Sequence, residues 1–377
     1  MKQTVLGALL LTLPAAWMIA SAASGTPGEP APIVGDYKLL EPITHGDLTV
    51  FPVVSNKTHD TNGFVTLDEG IRTGEVVVTE VGNLHGGMRR RPLPQNYGSA
   101  QVNQLVLVNN SQRPLILLAG EIVTGGKQDR VVAKDRIVPP ESDPVDLGVF
   151  CVEPHRWVER SGKFDTHASV MAQPSVRKKA MVEKDQQQVW DAVGEAKGTM
   201  SANARAAAPP RSAGTAEVQA YAYSIEQLET TSSYAVTREN KAVEKQVQAI
   251  TEPMQKSYES IIKQLRNQNA VGVVVAVKGR IVWADLFASS SLLGKYWPKL
   301  LQSYAAEALT APGDHREVSV KEAQQFLDDW QARHETVDSE PGLYRQRELV
   351  GDRFRAFELT SLLPKASFDV HLSKMAN

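Results

Sequence analysis

Two runs of this chain concentrate side chains that do chemistry. The first, LAGEIVTGGKQDRVVAKDRIVPPES from Leu118 to Ser142, places Glu121 in an apolar run, then a Gly125-Gly126 pair, then Lys127, Gln128, Asp129 and Arg130. The second, VDLGVFCVEPHRWVE from Val145 to Glu159, ends a strand-like stretch in Glu153, His155, Arg156 and Trp157. A carboxylate accepts hydroxyl hydrogens or acts as a general base, a guanidinium bonds two oxygens at once, and an indole face stacks a ring. Together they suit an anionic or polyhydroxyl small molecule, ADP-ribose-like or a sugar. Lys127, Gln128, Arg130, Arg156 and Trp157 are the expected binding residues, and Glu153, Asp129 and Glu121 the acid-base candidates. Two carboxylates across a pocket would also serve glycoside or N-glycoside hydrolysis. The glycine pair frees backbone N–H groups beside Lys127 and Arg130, an expected anion nest. It is not a phosphate-binding P-loop, whose glycine spacing and Lys-Ser/Thr ending are absent. The alternative is a tight turn whose charges brace the sheet through buried ion pairs.

Strand alternation places Leu147, Val149, Cys151 and Glu153 on one face and Gly148, Phe150 and Val152 on the other. Cys151 as a nucleophile would need a base such as His155 or His167 and a lowered pKa. As a structural residue it is a small buried filler, the usual role of a free cysteine. The eight histidines are scattered with no HExxH or HxH spacing, so no metal site is expected, and no cofactor. One cysteine in the whole chain excludes an intramolecular disulfide and every zinc site built on paired cysteines.

The elements that must position these residues come from 377 residues, enough for a substantial core. Forty-one Lys and Arg against 43 Asp and Glu give no long-range field for nucleic acid, and the Arg89-Arg90-Arg91 run is too short to change that. Met1-Lys2, an apolar run from Val5 to Ala20 and Ala20-Ser21-Ala22 form a secretory signal expected to span residues 1–22. The alternative is an uncleaved anchor. Cleavage makes the protein periplasmic or secreted, with no membrane span after signal removal. With Cys151 as the sole cysteine, a lipid anchor at the processing site is excluded.

Residues 23–36 read as a flexible leader rich in Gly, Pro and Ala. A main α+β domain is expected over 37–310 and a C-terminal helix and strand extension over 311–377. From Leu48 to Glu153, seven short apolar or alternating runs separated by turn residues predict a β-rich sandwich or barrel-like unit. Beyond Trp157, Val170 to Val193 has helical spacing. Gly194 to Thr215, with almost no bulky apolar residue, is expected to be a mobile insert. Tyr234 to Leu265 predicts a long helix interrupted or kinked at Pro253. AVGVVVAVKGRIVWADLF predicts a hairpin turning at Lys278-Gly279. Ser290 to Leu309 and SVKEAQQFLDDWQA predict amphipathic helices. RFRAFELT and ASFDVHLSKM predict two closing strands.

The blocks GEIVTGGKQDRVV, IVPPES, FCVEPHRW and AVGVVVAVKGRIVWADLFASSSLLGKYWPKLLQSYAAEAL resemble, in order, the family of uncharacterised domains named for association with ADP-ribosylglycohydrolase and rhodanese-phosphatase proteins. The likeness runs from Leu39 to Leu309, interrupted by the expected insert. It implies an α+β domain linked by association to ADP-ribose or nucleotide metabolism, and supplies no catalytic residues to carry over. The signal segment departs from that setting, since export removes the chain from cytoplasmic nucleotides. Two functional readings therefore stand: a periplasmic or secreted small-molecule-binding domain, with or without hydrolysis, and an envelope interaction module in which the polar motif is structural and a protein is the partner.

Overall fold

The computed structural model describes residues 37–84, 105–156, 158–210, 214–265 and 268–377. The expected signal and leader, the Arg89–Arg91 run, Trp157 and the His167 side chain lie outside that description.

Near-continuous β-branched sequence makes Asn269–Val277 and Arg280–Phe287 a hairpin. Lys278 and Gly279 take φ of 48° and 72° at its turn, the double positive φ that matches the twist of paired strands. This hairpin is the middle of a nine-stranded sheet in which every pairing is antiparallel. Leu48–Ser55 pairs on one side of it; Ala366–Ala376, Phe354–Leu363, Tyr344–Gly351 and Ala332–Glu340 follow on the other. The sheet therefore runs across the boundary expected at residue 310, and the C-terminal segment contributes four strands where two were expected.

One face of the sheet packs on the helix Ser290–Thr310, where Trp283, Val273, Val275, Tyr296, Leu300 and Tyr304 join the largest apolar cluster. The other face receives the helix Val320–Asp328 over Phe51, Val274, Leu286 and Leu372. Lys374 fastens that helix. Its ammonium donates to the carbonyls of Phe326 and Asp329 at the helix end and lies 4.2 Å and 4.3 Å from the ring centres of Trp330 and Phe354. A cation at a helix C-terminus and over aromatic faces is favourable on both counts, but burial opposes the charge and lowers the Lys374 pKa to about 7.

The stretch after Leu48 is the expected β-rich unit, with no closed barrel among the described residues. It forms three small sheets wrapped around one apolar cluster that includes Val65, Leu107, Leu117, Val123, Val132 and Phe164. The strands are mostly two to five residues long, too short to close on themselves. The expected single strand VDLGVFCVE breaks at Gly148, φ 56°, into Val145–Asp146 and Val149–Cys151, which pair in different sheets. The overall class is α+β: the region before the first long helix is mostly β, and six longer strands follow it.

Two helical expectations need correction. Residues expected to be a mobile insert begin as the second half of the helix Gln186–Ala206, which buries Val193, Ala196, Met200 and Ala204. Small side chains let a helix approach its neighbours closely without bulky residues, and Asn203 Nδ2 ties it to the Leu309 carbonyl at 2.8 Å. Downstream, the chain breaks at Asn240 and not at Pro253. Asn240 ends the short helix Tyr234–Glu239 and caps Lys241–Lys263, its side chain accepting from the Ala242 N–H, while Pro253 stays inside the second helix.

Candidate functional site

The turn after the strand Glu121–Thr124 is built on its two glycines. Gly125 and Gly126 have φ of 137° and 45°, and a Cβ on Gly126 would come within 2.4 Å of the Phe164 ring. The N–H groups freed there are already used by the protein. Gly125 N–H donates to Asp129 Oδ1 at 3.2 Å, Gly126 N–H to the Ser161 carbonyl at 3.1 Å and Lys127 N–H to Glu80 Oε1 at 3.0 Å. The expected anion nest is thus filled by two of the chain's own carboxylates and a carbonyl.

The two polar blocks do meet. Glu153 Oε2 accepts from the Asp129 N–H at 3.1 Å and pairs with Arg156 Nη2 at 2.6 Å; Glu153 Oε1 accepts from Arg160 at 3.2 Å. Arg156 also reaches Asp129 Oδ1 at 3.4 Å and donates to the carbonyls of Gly125, Gly126 and Val158. Asp129 Oδ2 accepts from Ser233 Oγ at 2.6 Å, and Ser233 in turn caps the helix Tyr234–Glu239. Burial pushes the Asp129 carboxyl above the usual carboxylate range; the Ser233 hydrogen bond opposes this, and the Glu153 charge adds to it.

Beside this network lies a cleft of ≈ 350 Å³ lined by Arg160, Ser161, Asp165 and Glu239, with Thr124 and Gly125 along one wall. Asp129 forms its floor but has no surface open to solvent. It therefore shapes the cleft from behind, and the rim residues are the ones a ligand meets. Of the residues singled out in the sequence, Gly125 and Asp129 line the cleft. Arg160, Asp165 and Glu239 were missed; the one legible signal nearby was Ser233, the partner of Asp129 and a serine N-cap placed just before the helix that carries Glu239.

The other expected site residues lie elsewhere. Glu121 occupies the opposite end of its strand, where Oε2 accepts from the Leu118 N–H at 2.8 Å and Oε1 takes the Lys299 ammonium. Lys299 also holds Asp68 at 2.6 Å. Burial raises the Glu121 carboxyl, against the pull of Lys299. Lys127 turns towards Glu80, 3.9 Å away. Gln128 is fully buried, and its Oε1 accepts from Cys151 Sγ at 2.8 Å. An amide cannot take the thiol proton, and burial pushes the Cys151 thiol up, which is the reverse of nucleophile activation. Arg130 is buried and donates to the Asp129 carbonyl at 3.4 Å, and its burial weakens its hold on a proton.

A second polar network is sealed under the large sheet. His371 Nδ1 lies 2.6 Å from Asp135 Oδ2, and its Nε2 lies 3.1 Å from Asp285 Oδ1. Arg177 grips Asp285 with both Nη atoms at 3.0 Å and 3.3 Å, its guanidinium 4.4 Å from the Trp283 ring centre, and Tyr304 donates to the same carboxylate. Gly120, φ 93°, leaves room for Arg177: a Cβ there would sit 2.6 Å from its Nε. Burial opposes the imidazolium, yet the Asp135 and Asp285 carboxylates outweigh it and hold His371 at about 9. None of His371, Asp135, Asp285 and Arg177 is exposed, so a substrate has no approach. Among the described residues no cluster of His, Cys, Asp and Glu is arranged to hold a metal ion.

No curated protein and no solved structure matches the chain. The family model does, over residues 36–375, so the likeness extends through the closing strands and beyond the Leu309 limit expected from the short blocks. The chain belongs to the family of the ARG and Rhodanese-Phosphatase-superfamily-associated Protein domain.

Proposed function

We propose that the protein is a periplasmic or secreted binding domain whose ligand, a polyhydroxyl molecule such as a sugar, occupies the cleft above Asp129. The observation that carries this reading is the composition of the cleft. On the rim Asp165 and Glu239 contribute two carboxylates against the single guanidinium of Arg160, with the buried Asp129 behind them. Carboxylates accept hydroxyl hydrogens and repel phosphate, so the polyhydroxyl half of the expected ligand class is favoured over the anionic half. The volume is at the small end of the range for ligand sites. The residues Gly125–Arg130 and Glu153–Arg156 serve as the scaffold of the cleft wall. Export rests on the N-terminal signal pattern of Met1 to Ala22. Among the described residues no helix is long and apolar enough to cross a membrane.

The reading puts binding ahead of bond cleavage, because Glu121, Asp129 and Glu153 are each at most 1 % exposed and a general base must reach the proton it abstracts. The test is a thermal-shift and calorimetric screen of the chain from Ala23 onward against neutral oligosaccharides, sugar phosphates and ADP-ribose, with Asp165→Asn beside the parent. A neutral sugar is expected to raise the melting temperature, by ~2.7 kcal/mol of apparent stability at a hundredfold excess over Kd, and to lose that effect in Asp165→Asn. A shift confined to phosphorylated compounds would overturn the ligand class. No shift with any compound would leave the polar motif as a brace and turn attention to the envelope-module alternative.

A further inference from the structure

A second cleft, of ≈ 380 Å³, lies where the small sheets meet the end of the large one. Its walls come from Val149 and Phe150, from Met181 in the π-helical turn Lys179–Glu183, and from Phe357. Its rim carries Lys134, Lys184, Asp338 and Glu348. Lys134 pairs with Asp338, and Lys184 lies 3.7 Å from Glu348. Insertion of a residue into a helix to make a π turn recurs at functional sites, and here the turn ends in Lys184 with φ 52°.

The peptide edge exposed in this cleft points to the ligand. Among the described residues Val149–Cys151 is an edge strand, paired only with Arg130–Val132. The Ala133 N–H donates to Gly148 O at 3.1 Å and the Val152 N–H to Asp129 O at 3.0 Å. Even-numbered residues therefore bond inward, and by antiparallel alternation Val149 and Cys151 turn their N–H and C=O outward. At Cys151 the side chain of Gln186 takes both groups, Oε1 accepting from the N–H at 2.8 Å and Nε2 donating to the C=O at 2.9 Å. The primary amide imitates one residue of a neighbouring strand. One step along the same edge, the equivalent pair on Val149 faces the cleft.

We propose that this cleft binds a short peptide with free termini, which adds to the Val149 edge as Gln186 does to Cys151. One apolar side chain of the peptide lies against Met181 and Phe357. Its carboxylate meets Lys184 and its ammonium meets Asp338 or Glu348, exchanging with the ion pairs already spanning the rim. Strand addition of this kind takes affinity from main-chain bonds and selectivity from the flanking pocket. The site is separate from the cleft above Asp129, so either can fail without the other.

The test is calorimetry of the chain from Ala23 onward with the tripeptide Ala-Leu-Ala, its analogue N-methylated at leucine, and its acetylated, amidated form. Three results are expected: binding of the parent tripeptide, about tenfold weaker binding of the N-methyl analogue for one lost main-chain hydrogen bond, and weakened binding of the blocked form. Val149→Pro removes the outward N–H without breaking a ladder bond, as proline does on an edge strand, and should reproduce the N-methyl loss. Lys184→Glu, at a side chain 62 % exposed, tests the rim in a variant that folds regardless: it should weaken the free peptide and leave the amidated one unchanged. No binding of Ala-Leu-Ala at roughly millimolar concentration, the weak end of useful affinity, would overturn the proposal, as would equal binding of the N-methyl analogue.

Discussion

The protein carries two charge networks of similar composition and opposite setting. Asp135, His371, Asp285 and Arg177 are enclosed beneath the large sheet; Asp129, Glu153 and Arg156 back onto a cleft whose rim continues them with Arg160, Asp165 and Glu239. The sealed network has the pairing of a catalytic Asp–His dyad and no access. The cleft network has access and no imidazole. Residue type alone therefore does not decide between them: what separates brace from binding site is whether a partner can reach the charge.

That contrast fails or holds first on Arg177. Removing it leaves Asp285 and the rest of the sealed network buried with an uncompensated charge, a loss of about 3–5 kcal/mol in systems of this kind. Arg177→Ala should unfold at much lower urea than the parent, and wherever it is folded it should bind the cleft ligand unchanged. A variant that unfolds like the parent would make the network dispensable and the contrast empty.

Next in size is the pH response of His371. Its folded value is about 9, against ~6.5 in an unfolded chain. The folded state thus holds its proton more tightly, so this contribution is fully present below pH ~6.5 and fades as pH rises through about 9. Urea midpoints measured from pH 6 to 10 should fall across that window in the parent, and His371→Asn should lack that component of the fall. A parent curve no steeper than the variant's would show that the imidazole is neutral between its two carboxylates.

Glu121 tests the same boundary from the other side. It was expected in the binding pocket and sits instead against Lys299. Glu121→Gln keeps the acceptor for the Leu118 N–H and removes the charge. It should lower stability by about 1–3 kcal/mol, the penalty for disturbing a buried charged hydrogen bond, with ligand affinity unaltered. Loss of affinity at unchanged stability would return Glu121 to the site.

Much of the scaffold was legible because its signals are local. A β-branched run with Lys278-Gly279 at its centre needs no tertiary knowledge to read as a hairpin, and the helix Ser290–Thr310 declares itself by spacing. Ala332–Glu340 declared nothing: ARHETVDSE is exposed at every position, so it has no apolar face to alternate with, and only its pairing with Tyr344–Gly351 makes it a strand. The meeting of the Asp129 and Glu153 blocks was legible from two polar clusters at the ends of adjacent strands. The cleft was not, because the helix Tyr234–Glu239 that closes it lies about a hundred residues further on, and sequence spacing carries no record of that contact.

The smallest expected effect concerns Cys151, the residue on which a chemical and a structural role were both open. Its thiol donates to Gln128 Oε1, and burial keeps it protonated. Alkylation requires thiolate. Iodoacetamide at pH 8 should therefore label the native chain more slowly than the same chain in urea, where the thiol titrates near 8.5. Cys151→Ala should alter ligand affinity in neither cleft and should cost no more than about 1 kcal/mol, the worth of one modest hydrogen bond. Labelling of the native protein faster than of the unfolded chain would mean that Arg130, the cation nearest the sulfur in effect, activates it after all, and the pairing of Cys151 with Arg130 across the strand ladder would then become the place to look for covalent chemistry.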